Sequence, residues 1–124
     1  MYNKVFLIGR IVRDPDMRVT IAGVPITQFT VAVDRIKKRD SQDKITDFLR
    51  VITWRRLAEI CGEYLKKGKL VAVEGRLQFR NYDKDGESLT MAEIVADNVQ
   101  MLDRSQGESG KETQFDAAIE AVSK

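Results

Sequence analysis

Only one stretch between residues 4 and 102 spaces its apolar side chains as a helix does; every other apolar run there reads as a strand. Leu57, Ile60, Cys61, Tyr64 and Leu65 stand at i, i+3, i+4, i+7 and i+8, one face of a short helix. Lys66 and Lys67 suit the negative end of that helix, and Gly68 can close it in the left-handed conformation. Strand-like runs precede it at Lys4–Val12, Val19–Ile21, Ile26–Asp34 and Thr46–Trp54, and follow it at Leu70–Tyr82 and Leu89–Leu102. Such an order lacks the repeated βαβ units of a doubly wound sheet. It fits a small, strongly bent antiparallel barrel, and 124 residues leave room for one such domain.

The punctuation agrees. Gly9, inside the first run, marks a bulge or a bend as at a barrel corner. Asp14-Pro15-Asp16 and Asp83-Lys84-Asp85-Gly86 are turns by composition, and Ala22-Gly23-Val24-Pro25 is a short link. Arg35–Ile45 is polar and long for a hairpin connection, the mark of a loop with a job. Residues 1–103 therefore form the folded domain and 104–124 a flexible tail, since the composition after Asp103 cannot pack a core. Within that tail Phe115, Ala118, Ile119 and Val122 share one helical face, suited to docking on a partner or on the body. A helix of that length is marginal alone, so fraying is expected.

Composition then removes whole classes of chemistry. The chain has no histidine and one cysteine, which excludes Ser-His-Asp and Cys-His catalysis, imidazole zinc sites and an intrachain disulfide. Cys61 on the apolar helix face reads as a small packed hydrophobe. An unpaired thiol without a signal peptide implies a reducing, cytoplasmic setting, and the apolar run Val5–Ile8 is far too short to span a bilayer. Charge is unevenly divided. Residues 1–80 carry 17 Lys/Arg against 9 Asp/Glu, and residues 81–124 carry 4 against 10. A basic body with an acidic end fits a polyanion-binding domain, although mixed surface charge also serves plain solubility.

Strand parity sharpens the reading. On Leu70–Tyr82 the odd positions Val71, Val73, Gly75, Leu77 and Phe79 form an apolar set that belongs in the core. The even positions Glu74, Arg76, Gln78, Arg80 and Tyr82 form an outward stripe. On Thr46–Arg56 the even set is Phe48, Arg50, Ile52, Trp54 and Arg56. Two arginines there make burial of the whole face costly, so Phe48 and Trp54 are expected to be exposed. Exposed rings interleaved with arginine suit unpaired nucleic acid, because rings stack on unstacked bases and arginines meet phosphates. The competing reading keeps both rings in the core with the arginines snorkelling outward.

Asn3-Lys4-Val5-Phe6-Leu7-Ile8-Gly9-Arg10, followed by Asp14-Pro15-Asp16-Met17-Arg18, resembles the opening of bacterial single-stranded DNA-binding proteins (SSB). Phe29-Thr30-Val31-Ala32, Thr46-Asp47-Phe48, Leu57-Ala58-Glu59, Lys67-Gly68 and Val73-Glu74-Gly75-Arg76-Leu77 resemble the later blocks, in family order over roughly residues 3–103. The resemblance implies a five-stranded Greek-key OB-fold barrel, sequence-tolerant binding of single-stranded DNA in replication, recombination and repair, and a homotetramer in the bacterial cytoplasm. It places base-stacking rings at Phe48, Trp54 and Tyr82, where the family commonly has tryptophan, phenylalanine and tryptophan. It also places phosphate contacts at or near Lys4, Arg50, Arg56, Lys67 and Arg80, to which the outward stripe adds Arg76. The basic loop residues Arg35, Lys37, Lys38 and Arg39 read as a phosphate-contacting flap or as a merely solvated loop. A further ring that the family often carries by the long loop has no counterpart, Ile36 being the nearest apolar residue. The acidic tip that recruits replication and repair proteins is also missing, since the chain ends Ala121-Val122-Ser123-Lys124. No cofactor, metal or catalysis is implied. An OB-fold RNA-binding module, a nuclease using Asp14, Asp16, Asp83 and Asp85, and an assembly partner without nucleic acid are the other readings weighed.

Overall fold

The computed structural model describes residues 1–36, 44–102, 115 and 117–119. Within residues 1–102 the described elements follow in the order β1 (Val5–Ile11), β2 (Asp16–Val19), β3 (Pro25–Asp34), β4 (Thr46–Trp54), α1 (Arg55–Tyr64), β5 (Leu70–Lys84) and β6 (Glu87–Met101). The sheet runs β1-β5-β6-β4-β3-β2, and β1 also pairs with β3. That last contact closes β1, β5, β6, β4 and β3 into a five-strand Greek-key barrel, with β2 appended to the edge of β3. All ladders are antiparallel except β4 against β6, which is parallel.

Closure happens at Gly9. β1 pairs with β5 from Val5 to Arg10 and then passes to β3 through Arg10–Ala32 and Ile11–Val31. A Cβ on Gly9 would stand 2.3 Å from the Ala32 carbonyl oxygen, so only glycine lets the two backbones approach. The bulge is elsewhere: the β5–β6 register jumps between Glu74–Asn98 and Gly75–Ala96, leaving Asp97 as the extra residue. At the far end Asp85 and Gly86 take φ of 53° and 81°, both positive as a two-residue type I′ hairpin turn requires.

The core lies between the barrel and α1. Leu7, Phe29, Val31, Val51, Val71, Val73 and Val99 face inward from the strands, and Leu57, Ile60, Cys61 and Leu65 meet them from the helix segment. Burial holds the Cys61 thiol up, to about 12, well above a free thiol. Thr27 Oγ1 donates to the Ala58 carbonyl at 2.6 Å, and Thr53 Oγ1 to the Thr27 carbonyl at 2.9 Å. These bonds tie the helix to β3 and satisfy two hydroxyls that the core buries completely.

Four expectations need correction. The second strand begins at Asp16, inside the expected Asp14-Pro15-Asp16 turn, because Asp16–Val19 pairs with Pro25–Gln28. α1 ends at Tyr64 with Leu65 extended, so Lys66 and Lys67 lie beyond its last turn. Gly68 is left-handed, φ 91°, but in the following turn, where its N–H donates to the Ile11 carbonyl at 2.7 Å. Phe79, placed in the core by parity, is 67% exposed, because no element covers that side of β5 beyond Leu77. The tail also departs from a purely solvated segment: Phe115 and Ile119 are buried members of the core, and Phe115 meets the Tyr64 ring edge-on at 6.2 Å.

Candidate nucleic-acid interface

Ladder partners point to the same side of a sheet, so the registers alone assemble one outward face. Across β3 and β4, Thr30 opposes Arg50, Gln28 opposes Ile52, Ala32 opposes Phe48 and Ile26 opposes Trp54. The parallel step from β4 to β6 sets Ile52 beside Val95. The β5–β6 ladder then sets Arg76 opposite Val95, Gln78 opposite Glu93, Arg80 opposite Met91 and Tyr82 opposite Leu89. Phe48, Arg50, Trp54, Arg76, Arg80 and Tyr82 therefore share one surface spanning β4, β6 and β5.

The rings are its open parts. Phe48 is 65% exposed, Trp54 41% and Tyr82 38%, while Ile52, Val95 and Glu93 between them are buried. The half-buried Arg50 donates Nη1 to Met91 Sδ at 3.3 Å and Nη2 to Gln28 Oε1. The thioether is a weak partner, so the Nη1 side of the guanidinium can turn to a phosphate while Gln28 holds the other side. Arg56 pairs with Glu59 at 2.8 Å and Arg76 with Asp97 at 3.5 Å, both at the surface, where such pairs exchange readily for another anion.

Arg76 and Asp97 line two neighbouring clefts. One, about 480 Å³, is completed by Trp54, Arg55, Arg56 and Leu57; the other, about 490 Å³, by Met1, Tyr2, Asn3 and Lys4. Lys4 joins the surface there, its ammonium paired with Glu74, a hydrogen bond that raises its pKa. A third cleft, about 300 Å³, opens beyond Arg50 between Arg13, Asp14, Asp16, Gln28 and Thr30. Lys67 lies at that flank and not among the rings, its N–H donating to Asp14 Oδ1 at 2.9 Å.

The expected flap is not gathered in. Arg35 makes a bidentate pair with Asp47 at 2.9 and 3.0 Å, a hydrogen bond that lowers the Asp47 pKa. Asp47 has the parity opposite to Phe48, so Arg35 is drawn away from the rings. Lys37, Lys38 and Arg39 lie outside the described residues.

Sequence reasoning missed three contributors. Arg55 follows Trp54 and by strand parity should point elsewhere; instead its φ of 59° turns the chain into α1 and brings it to the Trp54 cleft. No sequence signal announces a positive φ at arginine. Arg13 sits beside a turn that composition reads only as a turn. Glu93 is an acid within an apolar strand, a signal available to a parity reading of β6. Two of the four aspartates weighed as metal ligands are engaged in hydrogen bonds: Asp14 accepts from the Lys67 N–H and Asp16 from Arg18.

A closed five-strand Greek-key barrel with exposed rings and guanidinium groups on one face defines the oligonucleotide-binding barrels, the OB-fold class. Comparison with known proteins narrows the class. The profile of the single-strand binding protein family matches residues 2–102, and the chain belongs to that family. A Thermotoga maritima protein named single-stranded DNA-binding protein is 44% identical over 121 residues, 95% of this chain and 86% of its own. One of the same name from Caldanaerobacter subterraneus subsp. tengcongensis is 49% identical over 108 residues, 86% of this chain and 72% of its own. Among solved structures, a chain of a Plasmodium falciparum SSB complex with ssDNA matches with a TM-score of 0.76 at 26% identity. That match covers 83% of this chain and 96% of the other.

Proposed function

We propose that this protein coats and protects single-stranded DNA with little regard to sequence, serving replication, recombination and repair. Phe48, Trp54 and Tyr82 stack on bases, and Lys4, Arg50, Arg56, Arg76 and Arg80 meet phosphates, with Lys67 at the flank. The observation that carries this reading is the exposure of all three rings on one arginine-bearing face. Rings accept any base because every base offers a π-face, and unpaired strands alone offer that face free. Duplex DNA does not. No reaction is needed: occupancy of the single strand by itself shifts hairpins toward the melted state.

The family's usual homotetramer is proposed here as well. Support for it comes from the outward side of β1, where Phe6 and Ile8 are exposed large apolar residues.

The test is a titration of oligo(dT) into the protein, following Trp54 fluorescence at two salt concentrations while light scattering reports mass. Expected are quenching, a salt-weakened affinity and a tetrameric mass. Log affinity should fall with log salt by about 0.7 per phosphate contact. Equal affinity for duplex DNA would refute the reading, and preference for poly(U) over poly(dT) would move it to an RNA-binding OB-fold.

A further inference from the structure

Arg55 holds a backbone conformation to which arginine is poorly suited. Trp54 ends β4 extended, with φ −126° and ψ 152°, and α1 starts at the next residue. The whole change of direction therefore falls on Arg55, at φ 59°. Asp85 is the other described residue that has positive φ without being glycine, and an aspartate in a hairpin turn tolerates it. Arginine has no short polar group to bond its own backbone there, and its Cβ crowds the neighbouring carbonyl. Glycine would make the same turn at lower cost. The fold draws nothing from the side chain in return. Arg55 is exposed, and its guanidinium makes no hydrogen bond or ion pair with any described residue.

The turn does have one consequence. Consecutive residues of a strand point to opposite sides, but the left-handed step brings Arg55 round to the cleft that Trp54 lines. The other two guanidinium groups of that cleft are already matched, Arg56 by Glu59 at 2.8 Å and Arg76 by Asp97 at 3.5 Å. Arg55 is thus the cation there whose charge meets no acid, beside a ring that is 41% exposed. A nucleotide whose base lies on the indole brings its phosphate to the same cleft, since one sugar joins the two. We infer that Arg55 is a further DNA-binding residue, gripping the phosphate next to the base stacked on Trp54, and that its left-handed turn serves binding at the expense of the fold. Strained residues persist where function uses their geometry. A guanidinium takes a phosphate through paired N–H groups, and one held by no acid gives up no ion pair when it does so. Arg56 and Arg76 must each leave a carboxylate first. This inference rests on the proposed binding of single-stranded DNA to the ring-bearing face.

The test compares wild-type protein with Arg55→Gly and Arg55→Lys in oligo(dT) titrations from about 0.1 M to about 1 M salt, with urea unfolding of each. Arg55→Gly removes the charge and relieves the turn. Its unfolding midpoint should be kept or raised, while the slope of log affinity against log salt falls by about 0.7. A contact of that size amounts to about fivefold in affinity at 0.1 M salt, and the gap to wild type should close toward 1 M. Arg55→Lys keeps both the charge and the strained turn, so slope and unfolding midpoint should stay at wild-type values. Wild-type affinity and slope in Arg55→Gly would overturn the inference. So would a lowered midpoint in that variant, which assigns the side chain to the fold, or a loss of affinity equal at every salt concentration, which is not a phosphate contact. Failure of wild-type protein to bind oligo(dT) would instead overturn the DNA-coating reading, and this inference with it.

Discussion

The two halves of the β5–β6 hairpin share one sequence rhythm and have opposite fates. In the half nearest α1, Val71, Val73, Val99 and Met101 are buried in the core that α1 and the other barrel strands share. Beyond the bulge at Asp97 the alternation continues through Leu77 and Phe79, yet from Gln78 to Ser88 every residue is exposed. Periodicity sets which side chains share a side; it does not supply anything to cover them. The free half is what the proposed site would use. Arg80 and Tyr82 stand clear of the barrel because no element packs on them, and stacking rings and phosphate-seeking cations need that solvent access.

Matched substitutions break the comparison most sharply. Val73→Asp puts a charge into a fully buried position and should cost at least about 4 kcal/mol in urea unfolding, enough to abolish folding outright. Phe79→Asp, three same-face positions farther out, should change stability by no more than about 0.5 kcal/mol. Similar costs for both would mean that the distal half is covered in solution. Next in size is Phe115→Ala, which empties a fully buried site against Tyr64 and should cost about 3 kcal/mol. Unchanged unfolding would return this segment to the solvated tail that composition implies.

On the exposed, ring-bearing face the effects move from stability to binding. Trp54→Ala should weaken oligo(dT) binding by about 1–3 kcal/mol with the salt slope kept. Arg80→Ala should lower that slope by about 0.7 and leave stability alone. If the two variants behaved alike, rings and cations would not be acting separately.

The smallest expected effect lies at the mouth of the 35–45 connection. Asp34, hydrogen-bonded by Thr46 and paired with Lys44, and Asp47, hydrogen-bonded by Arg35, both have lowered pKa values. Depressed carboxyls stabilise the fold fully above their unfolded value of about 3.8, and that contribution is lost as pH falls through the lower folded values. Carboxyl chemical shifts should report midpoints below 3.8 for both groups, with Asp47 moving back toward that value in Arg35→Ala. Midpoints at 3.8 or above would show the clasp to be open in solution.

Much of this was legible because it is local. β4 runs from Thr46 to Trp54 as its β-branched and aromatic content indicates, and the Asp85-Gly86 turn follows from two residues that tolerate positive φ. Parity in β4 placed Phe48, Arg50 and Trp54 together, since alternation needs nothing beyond the strand itself. The opening of the long loop and the meeting of Arg35 with Asp47 were out of reach, depending on a pairing across twelve residues.

Amino-acid order by itself determined where the chain extends, where it turns, and which side chains travel together on a strand, because steric preference and side-chain period act between near neighbours. Folding alone decided the rest. It placed β4 beside β6 in parallel, buried Glu93 within the sheet face, forced Arg55 to positive φ at the strand-to-helix turn and drew Phe115 into the core. Each of these outcomes belongs to residues distant in sequence, and burial is a property of what arrives from elsewhere in the chain.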